Sequence, residues 1–315
     1  MARDRDRTRR AVVAVLLGGL LAGCAAPQPA TRSAADKRTE PSGPAPTSTL
    51  AGPPSIRSAT PAPPPANPPP ANPLPAGPPP APQRPGWVVG ATPLPLRPDG
   101  FGQVLPTPDV LADRRLPTAD RLPPPGTDEY AWTASTVPPA VVARSTWHPG
   151  CPVRLDELRY LTVSFWGFDG RHHTGELLVN GRVAGPVVEV FRQLHADRFP
   201  IEEMRVVTAA ELTVAPTGDG NNTQAFVCRP LTGLAEWSAH ASGLAVDLNP
   251  FCNPYQLGDL VLPELASAYT NRARVRPGMV LPGGGAVTAF ARAGWSWGGT
   301  WTGRRDWMHF TATGG

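Results

Sequence analysis

SAHASGLAVD, residues 238–247, and DWMHF, residues 306–310, are the stretches that decide how this chain is read. From Gly243 onward Leu244, Val246 and Leu248 alternate with Ala245, Asp247 and Asn249, the period of a strand with one apolar face. Asp247 then points away from the apolar side, towards a cleft. His240 precedes the strand, and Gly243 permits a tight bend that returns its imidazole to that carboxylate. Asp306 and His309 stand three apart, so both reach one centre only if the chain turns between them. Two imidazoles and one carboxylate can hold a metal with a fourth position open to water, and a second carboxylate nearby can take that water's proton. His240, Asp247 and His309 are therefore the predicted metal ligands, Zn2+ the predicted ion, and Asp306 the predicted acid/base.

The N-terminus is read as an address. An arginine-rich start is followed by an apolar run from Ala11 to Gly23, short for a membrane span and suited to a secretory signal. Leu21-Ala22-Gly23-Cys24 resembles a bacterial lipobox, which implies cleavage before Cys24 and lipid on its thiol; an ordinary signal peptide with an incidental cysteine is the rival. Arg9 and Arg10 also permit twin-arginine export. The expected location is the outer face of the bacterial cytoplasmic membrane or the cell wall, with membrane attachment through the lipid. The formal net charge is +4, but five arginines and two aspartates lie in the first ten residues. The remainder is nearly neutral and gives no reason to expect a nucleic acid partner.

Most of the 43 prolines lie before residue 140, in a stretch rich in Ala and Gly without a periodic apolar pattern. Residues 1–24 are thus read as a lipoprotein signal peptide, 25–143 as a disordered linker and 144–315 as the folded domain. A linker of about 115 residues reaches roughly 60 Å as a flexible coil and roughly 350 Å as polyproline II. Trp87, Val88 and Val89 interrupt it and mark a candidate collar extending to Phe101.

The folded part reads as α+β, a small antiparallel sheet carrying the metal site and flanked by helices. Tyr160 to Phe168 and Thr174 to Val179 form a predicted hairpin about Asp169-Gly170. Helices are predicted at 186–198, 263–271 and 287–293, a strand at 204–207 and a long loop at 217–229. His172 and His173 are adjacent on a strand and point to opposite faces, so they do not share an ion. His195 follows the helical set Val187, Val190, Phe191 and Leu194 and reads as a polar-edge residue. Ser238 reads as a turn residue or as a hydrogen-bond partner near the metal. The tryptophans from Trp295 to Trp307 read mostly as core and cleft wall.

The pattern Ser-x-His-x-x-Gly-x-Ala-x-Asp, followed by an acidic residue three before His-Phe, resembles the LAS zinc peptidases. These comprise D-alanyl-D-alanine carboxypeptidases and dipeptidases, L-alanyl-D-glutamate endolysins and hedgehog-type domains. NNTQAFVCR (Asn221 to Arg229), DLNPFCNPY (Asp247 to Tyr255) and GWSWGGTW (Gly294 to Trp301) resemble the bacterial wall-peptidase branch. The resemblance covers roughly the last half of the chain. It implies the same α+β fold, the same ligands and base, peptidoglycan stem peptides as substrate, and Arg229 as the group that binds substrate carboxylate or oxyanion. Arg229 pairing with a structural carboxylate is the competing account. A monomer is expected. With Cys24 lipidated, Cys151, Cys228 and Cys252 remain, an odd number. A Cys151–Cys228 disulfide is favoured because the resemblance does not lead to a cysteine at 252. It would contribute roughly 4 kcal/mol by the chain-entropy model. Cys228 with Cys252 is the rival pairing, and Cys252 as a catalytic nucleophile is a third role. L-alanyl-D-glutamate endopeptidase and D-alanyl-D-alanine carboxypeptidase activities both fit; a non-catalytic, zinc-retaining wall-binding domain is the alternative.

Overall fold

Alternating apolar positions build a first sheet on which the molecule is assembled. Strands β1 (Trp132–Ser135), β2 (Leu158–Trp166) and β3 (His172–Asn180) form it in that order, antiparallel throughout. Leu161, Val163 and Phe165 of β2, with Leu177 and Val179 of β3, are buried on one side. A computed structural model provides this description, for residues 86–231 and 235–314. The predicted signal segment, the predicted lipidated Cys24 and the predicted linker as far as residue 85 lie outside the described residues.

Helices α1 (Asp109–Ala112) and α2 (Pro139–Arg144) are short, and the principal helix is α3 (Ala184–Ala196). Val187, Val190, Phe191 and Leu194 recur at helical spacing on α3 and are buried against the first sheet. The helix starts two residues before the predicted Pro186, since a proline is tolerated in the first turn, where its missing N–H has no intrahelical role. Strands β4 (Glu203–Met204) and β5 (Asn222–Thr223) form a parallel pair shorter than the predicted 204–207 strand, and β5 interrupts the predicted 217–229 loop.

Three strands carry the site: β6 (Ala245–Asp247), then β9 (Ser296–Trp297) and β11 (His309–Thr311), with β11 central and both pairings antiparallel. Strands β7 (Tyr255–Leu257), β8 (Leu260–Leu262) and β10 (Arg305–Asp306) make a neighbouring antiparallel sheet in the order β10-β7-β8. Helix α4 (Gly285–Arg292) packs its Ala286, Ala289 and Phe290 with α3 and with Leu244, Val246, Leu248 and Phe310. One apolar core therefore backs both the first sheet and the site sheet. The α+β expectation holds.

The predicted helix 263–271 is not formed. Leu260–Leu262 instead closes a hairpin on Tyr255–Leu257 through Gly258-Asp259, and only Ser267–Thr270 makes a single 3-10 turn. Val261, Leu265, Ala266 and Tyr269 still reach a second core with Leu111 and Phe251, so burial is met without a helix.

The linker boundary at 143 is also corrected: residues 86–143 pack on the domain. Trp87 Nε1 donates to Asp219 at 2.9 Å, Leu94 N to the Pro216 carbonyl at 2.8 Å, and Gly102 N to Glu264 at 2.8 Å. Arg114 is 1 % exposed and makes two 2.6 Å bonds to the Glu202 carboxylate, while Thr118 Oγ1 donates to the Glu202 carbonyl at 2.7 Å. This segment has no core of its own. It contributes single anchors to its neighbour's, which a search for periodicity does not detect.

Candidate active site

Ser238 Oγ accepts the His240 N–H at 3.3 Å and caps a 3-10 turn over Ala239–Ser242. That turn ends at Gly243 with φ of 67°, where a Cβ would stand 2.6 Å from Asn180 N; only glycine fits. His240 Nδ1 then lies 2.5 Å from the Ala225 carbonyl, a bond in which it donates and leaves Nε2 facing the site without a proton.

Asp247 and His309 are register partners across β6 and β11. Asp306 lies on β10, opposite Tyr255, and the chain turns at Trp307 and Met308 to enter β11. The inferred turn between Asp306 and His309 is thus present.

Three donor atoms meet. His240 Nε2 is 3.1 Å from His309 Nδ1 and 3.2 Å from Asp247 Oδ1, and His309 Nδ1 is 3.1 Å from Asp247 Oδ1. A triangle with such edges places one ion about 2 Å from every corner, the distance zinc makes to imidazole nitrogen and carboxylate oxygen. The side chains are 4 %, 7 % and 9 % exposed for His240, Asp247 and His309, so an ion there would be largely withdrawn from water. Donor chemistry, spacing and burial all fit zinc. Gln224 adds a part the sequence reading missed: it exchanges both backbone bonds with Asp247, and its Nε2 donates to Asp247 Oδ2 at 3.4 Å. The second carboxylate oxygen is thereby held while Oδ1 faces the imidazoles.

Electrostatics follow the geometry. Burial would raise the Asp247 carboxyl, but the His240 and His309 rings hold it well below the usual range. Burial would lower the His240 imidazole, and the Asp247 charge outweighs this and raises it. A cation at the centre would compete with protonation of the His240 and His309 rings, so its binding would be favoured as pH rises. Asp306 is shifted the other way: burial first, then the Asp247 charge, raise it, while the charges of His240, Arg304 and Arg229 act against that rise. Its Oδ1 is shielded from solvent and has no hydrogen-bond partner. It is a carboxyl beside the ligands with an oxygen available for a water or a leaving amine.

Arg229 is exposed and makes no ion pair among the described residues; its Nη1 donates to the Pro230 carbonyl at 3.3 Å. It lies outside the donor triangle, although its charge bears on both His240 and Asp306. Trp301 forms part of the wall, its ring 5.5 Å from that of His309, with the Arg304 guanidinium 4.5 Å above it. Trp295, Trp297 and Trp307 are buried.

Behind the site, Asn249 and Asn253 lock the loop that follows β6. Asn253 Nδ2 donates to the Leu248 and Gly278 carbonyls at 2.9 Å each, and its Oδ1 accepts from Val280 N at 2.6 Å. Their signal was the Asn-Pro repeat of DLNPFCNPY. Cys252 is buried in the same loop, where burial and the Glu202 charge push its thiol up to about 12, the environment of an inert structural cysteine rather than of an activated nucleophile. Cys151 and Cys228 are joined in a disulfide with Cα atoms 5.9 Å apart. Val227, beside it, donates its N–H to the His240 carbonyl at 3.2 Å, so this cross-link steadies the extended segment behind the ligand turn.

A buried His-Asp-His triangle at an antiparallel sheet, with a shielded carboxyl beside it, is a donor set that could hold a metal ion and suits metal-assisted hydrolysis. Residues 232–312 match the family model described as D-alanyl-D-alanine carboxypeptidase, so this part of the chain is similar to that peptidase family. The match includes His240, Asp247, Asp306 and His309 but not Arg229. Comparison with curated proteins and with solved structures returned no match.

Proposed function

We propose that the chain is a zinc-dependent peptidase that hydrolyses peptidoglycan stem peptides at the outer surface of the membrane, held there by lipid on Cys24. The observation that carries the reading is the triangle of His240, Asp247 and His309 with Asp306 beside it. Zinc bound there supplies Lewis-acid polarisation of a carbonyl and lowers the pKa of a coordinated water. Asp306 accepts a proton from the attacking water and delivers it to the leaving amine. Its raised affinity for protons suits both halves of that transfer. Gln224 and the Ala225 carbonyl keep Asp247 and His240 in register with the reacting centre. Arg229, exposed and without an ion-pair partner among the described residues, offers its guanidinium to a substrate carboxylate. D-alanyl-D-alanine carboxypeptidase and L-alanyl-D-glutamate endopeptidase substrates both carry such a carboxylate near the scissile bond.

Mass spectrometry of defined muropeptides incubated with the zinc-loaded protein tests the proposal. Loss of terminal D-alanine identifies the carboxypeptidase, and cleavage after L-alanine the endopeptidase. Intact muropeptides from a zinc-replete, folded protein would overturn it.

A further inference from the structure

The cleft wall beside Asp306 closes over one glycine. A 3-10 turn at Gly298–Thr300 leads into Trp301, and a Cβ at Gly298 would stand 2.7 Å from the Asp306 carbonyl oxygen, 2.9 Å from Asp306 Cβ and 3.4 Å from the Trp301 ring. Asp306 and the Trp301 indole therefore meet above Gly298. The same indole lies 5.5 Å from the His309 ring, so it spans the predicted base and a predicted metal ligand. Over it lies the Arg304 guanidinium, 4.5 Å from the ring centroid.

Strand pairing decides which arginine stands there. Asp306 is paired with Tyr255 and Arg305 with Gln256 across β10 and β7, so alternation puts Arg304 on the side of Asp306 and Tyr255 and Arg305 on the other. The Arg304 charge acts on both Asp306 and Tyr255, as this placement requires. Arg304 is exposed and makes no ion pair among the described residues. Stacking on an aromatic face orients a planar guanidinium while its N–H groups stay open to a further partner. Arg304 is thus a cation held in place at the cleft with its hydrogen-bonding capacity unspent.

We propose that Arg304, seated on Trp301, is a specificity-determining residue that holds the α-carboxylate of the residue released by cleavage. The assignment rests on the peptidase reading above and names what the leaving side of the substrate carries: an amino acid whose free α-carboxylate is one carbon from the scissile nitrogen. Asp306 delivers its proton to that nitrogen, so the carboxylate comes to lie beside Asp306, on the side Arg304 occupies. A terminal D-alanine meets the requirement, and so does a D-glutamate joined onward through its side chain. An interior residue whose α-carboxyl is already in a peptide bond does not. A guanidinium reads a carboxylate through two parallel N–H bonds, which gives direction as well as charge. Arg229 acts on His240 as well as on Asp306, and is left for the oxyanion or for another carboxylate of the stem peptide.

Calorimetric binding to the zinc-loaded full chain carrying Asp306→Asn tests this without turnover. Two matched peptide pairs are used: acetyl-L-lysyl-D-alanyl-D-alanine and its terminal amide, and L-alanyl-γ-D-glutamyl-L-lysine with the glutamate α-carboxyl free or amidated. In at least one pair the acid should bind about 10- to 100-fold tighter than the amide. Arg304→Met should abolish that preference, Arg304→Lys should restore part of it, and Arg305→Met should leave it unchanged. With Asp306 intact, Arg304→Met should raise KM for the acid with kcat little changed. A preference that survives Arg304→Met, one that is lost on Arg229→Met alone, or none in either pair would overturn the assignment. An Arg304-dependent preference in a protein that cleaves neither peptide would retain Arg304 as the carboxylate-binding residue and reject the peptidase reading instead.

Discussion

Asp247 and His309 face each other across a single antiparallel register pair, with Oδ1 and Nδ1 3.1 Å apart. Strand pairing itself therefore brings together two donors that are 62 residues apart in the chain. The third donor comes from the turn that precedes the same strand. Nothing long or mobile is needed to assemble the centre.

Asp306 is separated from the ligands by the turn at Trp307 and Met308, so base and ligand should be separable by substitution. Asp306→Asn is expected to keep the fold and the bound metal and to lose about two to four orders of magnitude in hydrolysis rate. Unchanged turnover by a metal-replete variant would remove Asp306 from the mechanism.

How much of this was legible follows from where each signal resides. The period-2 run from Leu244 to Asn249, the glycine at 243 and the spacing of Asp306 and His309 are local, and they placed strand, turn and ligands. Gln224, Asn249 and Asn253 act through bonds to residues 23, 49 and 25 positions distant, and no local pattern reports such bonds. The same limit hid the packing of residues 86–143. Arg114 finds Glu202 88 positions away, in a stretch whose composition reads as linker.

That Arg114–Glu202 pair gives a prediction about the N-terminal segment. Arg114→Met leaves the Glu202 carboxylate buried without its partner, which costs about 3–5 kcal/mol. Urea unfolding should show that loss, and limited proteolysis should cut earlier between residues 86 and 118. A loss below about 1 kcal/mol would mean that the segment is held by its other contacts.

Glu176 sets a pH dependence of stability. It accepts from Tyr160 Oη at 2.6 Å, from Arg144 Nη2 at 2.5 Å and from Val206 N at 3.4 Å. Burial would raise its carboxyl, but the Arg144 and Tyr160 bonds outweigh this and lower it. A folded pKa below the unfolded one makes the contribution complete above the ordinary value of 4.5 and lost as pH falls through the folded pKa. Glu176→Gln should cost about 1.5–3 kcal/mol at neutral pH and flatten the acid limb of the stability curve. Parallel curves for the two proteins between about pH 5 and pH 3 would contradict this.

The proposed anchor makes a cellular prediction. Cys24→Ala should release the protein from the membrane fraction or leave it unprocessed, while the purified protein still hydrolyses soluble muropeptides. Shortening the proline-rich segment should reduce cleavage of intact wall more than of soluble fragments, because only the wall demands reach. Membrane retention of a processed Cys24→Ala protein would reject the lipid anchor.

Zinc at the triangle is the central claim, and anomalous diffraction at the zinc edge tests it most directly. Crystals grown with zinc should show a peak about 2.0–2.2 Å from His240 Nε2, His309 Nδ1 and Asp247 Oδ1, absent from His240→Ala crystals that retain the fold. A zinc-replete, hydrolytically active protein with no peak inside that triangle would contradict the account.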